Sequence, residues 1–196
     1  SILLIATFCL SFLVQSPALA NTSEPWEVEL ETCLSQKKKA SLLIASDISG
    51  STGEPLPGYF WIPTDPKGLR GSSAVALTRG LHEVLGDINS SDNNINFEIE
   101  ISYTTFNQFN TPIGDWLNLS TKPSEEFLNN LRVKSNISNG GTFFSPAIDY
   151  AVQQFSKTTL VDSCKILVFM SDGEPMPGDQ LRVIDSKVDN LKNDGV

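Results

Sequence analysis

Two short apolar runs in the chain each end abruptly in polar side chains. Residues 41–51 read SLLIASDISGS, with the apolar part stopping at Asp47 and continuing as Asp-x-Ser-x-Ser. Residues 165–173 read KILVFMSDG and stop at Ser171-Asp172-Gly173. Runs of this length without a helical period predict buried strands over 41–46 and 165–170. Between them, Phe97, Ile99, Ile101 and Tyr103 alternate with Glu98, Glu100 and Ser102, which predicts a half-buried strand over 97–106. Residues 115–119 suit a short partner strand on the sheet edge. Four stretches carry the helical period. Leu77, Leu81, Val84 and Ile88 recur at i, i+4, i+7 and i+11, predicting a helix over 72–88 with that stripe inward. Pro123 opens a second helix, with Phe127, Leu128 and Leu131 as its apolar face. Pro146 opens a third, with Ser145 as N-cap and Ile148, Ala151, Val152 and Phe155 inward. A last helix starts near residue 180, with Leu181, Ile184, Val188 and Leu191 on one face.

Strands alternating with helices predict an α/β sandwich around a mostly parallel sheet. In such sheets ligands bind outside the C-terminal ends of the strands. The polar residues that follow the two apolar runs are therefore the candidate site. The connections are a polar entry segment over 21–36, a polar turn over 89–94, and a polar loop over 135–141 that runs into Gly140-Gly141-Thr142. The connection over 50–71 is long, rich in Gly and Pro, and carries Tyr59, Phe60 and Trp61 together. Loops of this length beside a strand end are often functional. The aromatic trio reads as the loop's own small core rather than a contact surface.

Composition narrows the function. The 196 residues suit one domain, and 40% hydrophobic content supports a real core. A formal net charge of −9 argues against nucleic acid as a partner, since phosphate binding needs a basic face. The basic run Lys37-Lys38-Lys39 reads as a solvated approach to the first strand. Residues 1–20 carry no charge and end in the small-x-small pattern Ala18-Leu19-Ala20. They read as a secretory signal peptide whose basic start lies upstream of Ser1, cleaved after Ala20. Its apolar core is too short to span a bilayer, and no other stretch is long enough to do so. The expected organisation is a leader over 1–20, an extension over 21–39 and one domain over 40–196. The expected location is secreted: extracellular, cell-surface or periplasmic. Cys9 leaves with the leader, and Cys33 and Cys164 remain. An even pair in an exported protein reads as a disulfide, with two free thiols as the alternative in a reducing compartment. Asn-x-Ser/Thr sequons at Asn21, Asn89, Asn118 and Asn136 matter only in a host that glycosylates.

Asp47, Ser49, Ser51, Thr142 and Asp172 offer two carboxylates and three hydroxyls at or beside the ends of core elements. Two negative charges match a divalent cation, and the neutral oxygens suit the hard, near-octahedral preference of Mg2+. Any one of these motifs alone would serve equally as a strand end or helix cap. Enzyme readings lack their signatures. No Gly-x-Ser-x-Gly elbow surrounds Ser51, and no phosphate-binding glycine loop is present. A phosphatase using a strand-end aspartate would carry a second Asp where Ser49 stands. His82, the one histidine, falls within a helix away from the strand ends.

Taken together, Asp47-Ile48-Ser49-Gly50-Ser51, Gly140-Gly141-Thr142 and Ser171-Asp172-Gly173-Glu174-Pro175 make residues 40–196 resemble the von Willebrand factor type A domain. The resemblance implies a doubly wound, Rossmann-like sheet with helices on both faces, its last strands and helix lying beyond residue 196. It implies a metal-ion-dependent adhesion site holding Mg2+ (or Mn2+ or Ca2+). Asp47, Ser49 and Ser51 would bind directly, Thr142 directly or through water, and Asp172 through water. It further implies a non-enzymatic domain whose partner is a protein presenting an Asp or Glu carboxylate, with no small-molecule substrate and no nucleic acid. The alternative is a scaffolding module of a larger envelope or surface assembly whose metal serves stability alone. The family's sheet order makes the 41–46 and 165–170 strands neighbours, so Cys33 and Cys164 would fall near the same, non-metal end of the sheet. The long 50–71 loop departs from the family pattern.

Overall fold

The computed structural model describes residues 2–5, 25–52, 65, 67–91, 96–173, 176, 179, 181–193 and 195–196. The aromatic trio Tyr59, Phe60 and Trp61, with most of its loop, lies outside the described residues. So do the sequon Asn21, the cleavage pattern at Ala18-Leu19-Ala20, Glu174-Pro175, and part of the 89–94 turn.

The two apolar runs form the adjacent central strands. β2 (Lys39–Asp47) lies between β6 (Cys164–Met170) and β3 (Glu98–Phe106), and all three run parallel. Beyond β3, β4 (Asn110–Pro112) and β5 (Leu117–Asn118) pair antiparallel with it at different heights, forming one interrupted edge strand. The expected edge strand at 115–119 is found only as the two-residue β5, and β4 was not expected. On the other side, β1 (Ile2–Ile5) pairs parallel with β6. These four residues belong to the stretch read as a leader.

Helices cover both faces. α2 (Leu69–Ser91) and α3 (Glu125–Ser135) pack with Ile44, Ile101 and Tyr103 on one face. α4 (Phe144–Phe155) and α5 (Leu181–Asn193) pack with Leu43, Ala45, Phe106, Leu167 and Phe169 on the other. Successive residues of β2 therefore feed opposite cores, as a two-residue repeat requires. The expected doubly wound α/β architecture is what the chain adopts.

Four details differ from expectation. The α2 stripe is turned: of its four residues only Leu81 packs against the core, Leu77, Val84 and Ile88 are exposed, and Ala74, Val75, Thr78 and Leu85 are buried. Small residues bring this helix close to α3, and a Cβ at Gly71 would run into the Arg132 carbonyl oxygen. β3 is buried on both faces, because α4 and the turn that follows it cover the side that carries Glu100, Ser102 and Thr104. α4 begins at Phe144 and takes no cap from Ser145. Its free N–H groups at Phe144 and Ser145 donate instead to the Asp179 carboxylate. Finally, the polar entry segment contains a helix, α1 (Pro25–Lys37).

The disulfide reading holds. Cys33 on α1 is bonded to Cys164 at the start of β6, with Cα atoms 6.0 Å apart. This distance is ordinary for disulfides. The bond fastens α1 beneath the N-terminal ends of the central strands.

Candidate metal and ligand site

At the opposite end, β2 delivers Asp47 into the rim of the sheet, with its side chain 2% exposed. The backbone turns at once: the Ser49 N–H donates to Asp47 Oδ1 at 2.7 Å, closing an Asx turn. A single turn of 3-10 helix (Gly50–Thr52) follows and carries Ser51 outward. Ser49 Oγ and Ser51 Oγ are 3.0 Å apart, and Ser51 Oγ donates to Asp172 Oδ1 at 3.1 Å. Ser171 Oγ donates to Asp47 Oδ2 at 2.6 Å. Thr142 is buried beside the same loop, its hydroxyl near enough that a Cβ at Gly173 would lie 3.7 Å from it. The three motifs, the first and last of them 121 residues apart from Ser51 to Asp172, thus meet at one end of the sheet.

Backbone contacts hold the loops together. Gly50 N–H donates to the Gly140 carbonyl at 2.8 Å, and a Cβ at Gly50 would stand only 3.3 Å from that oxygen. Gly140 has φ +74°, a conformation that favours glycine. Asn139 N–H donates to the Ile48 carbonyl at 2.9 Å, and Ser138 Oγ donates to the Ser49 carbonyl at 2.8 Å.

Sequence reasoning missed two supporting residues. Arg70, on the first turn of α2, donates to the Asp47 carbonyl through Nη1 at 2.5 Å. Its Nε is paired with Asp65 Oδ2 at 2.8 Å, and Asp65 also accepts from Leu69 N–H at 2.7 Å. Asp65 thus caps α2 and aims Arg70 at the loop. An acidic residue just before a helix was a readable cap signal, but nothing local linked Arg70 to Asp47. His82 lies away from this site, where its Nδ1 makes a 2.7 Å hydrogen bond with the Leu119 carbonyl.

Burial pushes the Asp47 carboxyl above the usual range. Hydrogen bonds from Ser171 and Ser49 work against that rise, and the Asp172 charge adds to it. A cation beside Asp47 would offset both the burial and the repulsion. The donor set of two carboxylates and three hydroxyls therefore fits a hard divalent ion. Among the described residues, no group of three or more His, Cys, Asp or Glu side chains is placed to hold a metal ion, so a cation here would rest on two carboxylates and neutral hydroxyls.

The fold has counterparts among solved structures. Proximal thread matrix protein 1 from the mussel byssus overlays with a TM-score of 0.53 at 17% identity, covering 81% of this chain and 36% of that one. A second structure of that protein, described as having a zinc-occupied MIDAS motif, gives 0.54 at 16% identity over the same shares. A von Willebrand factor type A protein from Catenulispora acidiphila gives 0.43 at 15% identity, covering 78% of this chain and 31% of that one. The chain has the von Willebrand A fold. It spans about a third of the length of the mussel protein. No protein-family model matches the chain. No curated protein matches it. Among the described residues, no helix is long and apolar enough to cross a membrane.

Proposed function

We propose that the chain is an exported, metal-dependent protein-binding domain that takes a partner's Asp or Glu carboxylate. The supporting observation is the hydrogen-bonded series Asp47–Ser49–Ser51–Asp172, which runs from a buried carboxylate to one exposed on the surface. The buried end anchors a charge, and the open end gives a partner access.

Asp47, Ser49, Ser51, Thr142 and Asp172 would hold the ion. When bound, a Mg2+-type ion supplies an electrophilic position that an outside carboxylate can fill. The rest is the work of the chain. Arg70 fixes the Asp47 backbone, Ser171 orients the Asp47 carboxylate, and the Gly50–Gly140 contact sets the spacing of the two hydroxyl-bearing loops. The zinc-occupied motif of the mussel protein supports a divalent ion in this fold. The role proposed for these side chains is to hold the ion and its ligand, a non-enzymatic reading.

The burial of Asp47 also favours a second reading, in which the ion only relieves a buried charge and so stabilises a scaffolding domain. A carboxylate probe separates the two. Protein loaded with Mn2+ enhances water-proton relaxation. N-acetylaspartate amide should reduce that enhancement in a saturable way as its carboxylate replaces water. Tight Mn2+ binding with no response to the probe would leave only the stabilising role.

A further inference from the structure

Beside this site lies a pocket of about 430 Å³ that the metal reading does not use. Its apolar wall is Ile48, Phe109 and Ile137, and its polar wall is Asn107, Asn139 and Lys134. Two observations tie it to the site. Ile48 stands between Asp47 and Ser49, and Gly140, which also lines the pocket, is the residue whose carbonyl receives Gly50 N–H. A group bound in the pocket and one bound at the Asp47 loop would thus be neighbours on a single ligand.

The pocket is held in shape. Asn107 Nδ2 donates to the Asn139 carbonyl at 3.1 Å, joining the β3–β4 turn to the glycine loop. The same residue's Oδ1 accepts from Phe109 N–H at 2.9 Å, fixing the turn that carries the phenyl ring. Phe109 is 73% exposed and Ile137 is 43% exposed, so both present apolar surface to incoming molecules. Lys134 Nζ touches only the Pro112 carbonyl, at 3.3 Å, and no carboxylate lies within ion-pair distance of it among the described residues. In a chain of net charge −9, a lysine without an acidic partner at the rim complements an acidic ligand.

We infer that this pocket is a specificity subsite that receives a large apolar side chain close in sequence to the carboxylate docking at the Asp47 loop. The ligand class is an extended acidic peptide segment, Asp or Glu followed or preceded within a few residues by Leu, Ile, Phe or a similar side chain. Lys134 favours a second acidic or carbonyl group at the rim. The pocket's size suits one such side chain with part of its backbone, within the range of ordinary ligand sites. This inference rests on the carboxylate-binding reading above.

The test is selection of a displayed random peptide library on the immobilised full chain in Mg2+, with EDTA elution and sequencing of the released pool. The wild-type pool should be enriched in Asp or Glu, with a large apolar residue at a preferred offset at least about tenfold over input. Phe109 is exposed, so Phe109→Ala removes pocket wall without touching the core. With that variant, the ratio of apolar-offset to acidic sequences should fall severalfold. Lys134→Glu should deplete peptides carrying a second acid. An acidic pool without the apolar offset, or the same offset on Phe109→Ala, overturns the subsite while leaving carboxylate binding intact. A wild-type pool with no acidic enrichment overturns carboxylate binding itself, and the subsite with it.

Discussion

Glu100→Gln should destabilise the fold substantially, even though the substitution keeps the side chain's shape. Glu100 is fully buried on β3 at the end of the sheet away from the metal loops. Its Oε1 accepts from Ser41 Oγ at 2.6 Å and from Thr158 Oγ1, and its Oε2 accepts from Thr159 Oγ1 at 2.6 Å and Thr159 N–H at 3.2 Å. The carboxylate thus gathers the turn between α4 and β6, and Ser41 Oγ extends the network to Ser163 Oγ at 2.6 Å. An amide replaces one acceptor oxygen with a donor. The hydroxyls can rotate to accept from it, but a backbone N–H cannot. The loss is one or two charge-assisted bonds plus one stranded donor, about 2–4 kcal/mol. The pH dependence follows from the folded carboxyl. Burial raises its pKa, but the hydrogen bonds from Ser41, Thr158 and Thr159 together outweigh burial and hold it below the ordinary value of 4.5. A carboxyl held low in the folded state adds stability above the unfolded value and loses it as pH falls through the folded value. Urea melts in EDTA, which removes any metal contribution, should show a lower midpoint for Glu100→Gln at neutral pH. The gap should narrow as pH drops below about 4.5. Equal midpoints at neutral pH, or a gap that widens in acid, would refute the reasoning.

Three further outcomes are expected. Reducing the Cys33–Cys164 bond, which spans 131 residues of sequence, should lower stability by up to about 4–5 kcal/mol in the chain-entropy account. Mass spectrometry of the thiol-blocked, unreduced protein should find neither cysteine alkylated. Gly71→Ala should lower the melting temperature, since the new Cβ meets the Arg132 carbonyl and lies 2.8 Å from Asn136 Oδ1, an overpacking cost of about 1–3 kcal/mol. Ser102→Ala should be neutral or stabilising in the same assay. Among the described residues, Ser102 Oγ is the one buried side-chain polar atom with no hydrogen-bond partner, and such groups cost about 1–3 kcal/mol.

The central strands and the site motifs were legible because each depends on a local pattern. β2 and β6 are apolar runs that end in oxygen-bearing residues, and burial on two faces erases alternation without lengthening the run. What escaped was set by distant contacts. Glu100 reads as a solvent-facing residue of an alternating strand until the turn after α4 closes over it. Leu77, Val84 and Ile88 make the stronger hydrophobic stripe on α2, yet the core takes Ala74, Val75, Thr78 and Leu85. Close approach to α3 at Gly71 decides which face turns inward, and small residues carry little weight in a hydrophobic pattern. Asp179 caps a helix that starts 35 residues before it, so no local signal could have marked it. α1 lacks a strong apolar face and is fastened by a covalent bond instead. At the site, the ligand candidates were legible, while the part played by Arg70 was not, because it exists only once α2 has packed beside the Asp47 loop.

The most direct test of the account is a calorimetric titration of Mg2+ into wild-type protein and into Asp47→Asn, which keeps the shape of the side chain and removes its charge. Replacing a residue that merely supports a metal ligand typically weakens affinity about 10–100-fold, and loss of a direct charged ligand should weaken it at least as much. The account predicts saturable, EDTA-reversible binding by wild type and a collapse of affinity in Asp47→Asn. Equal affinity in the two proteins, or no binding by wild type, would contradict it.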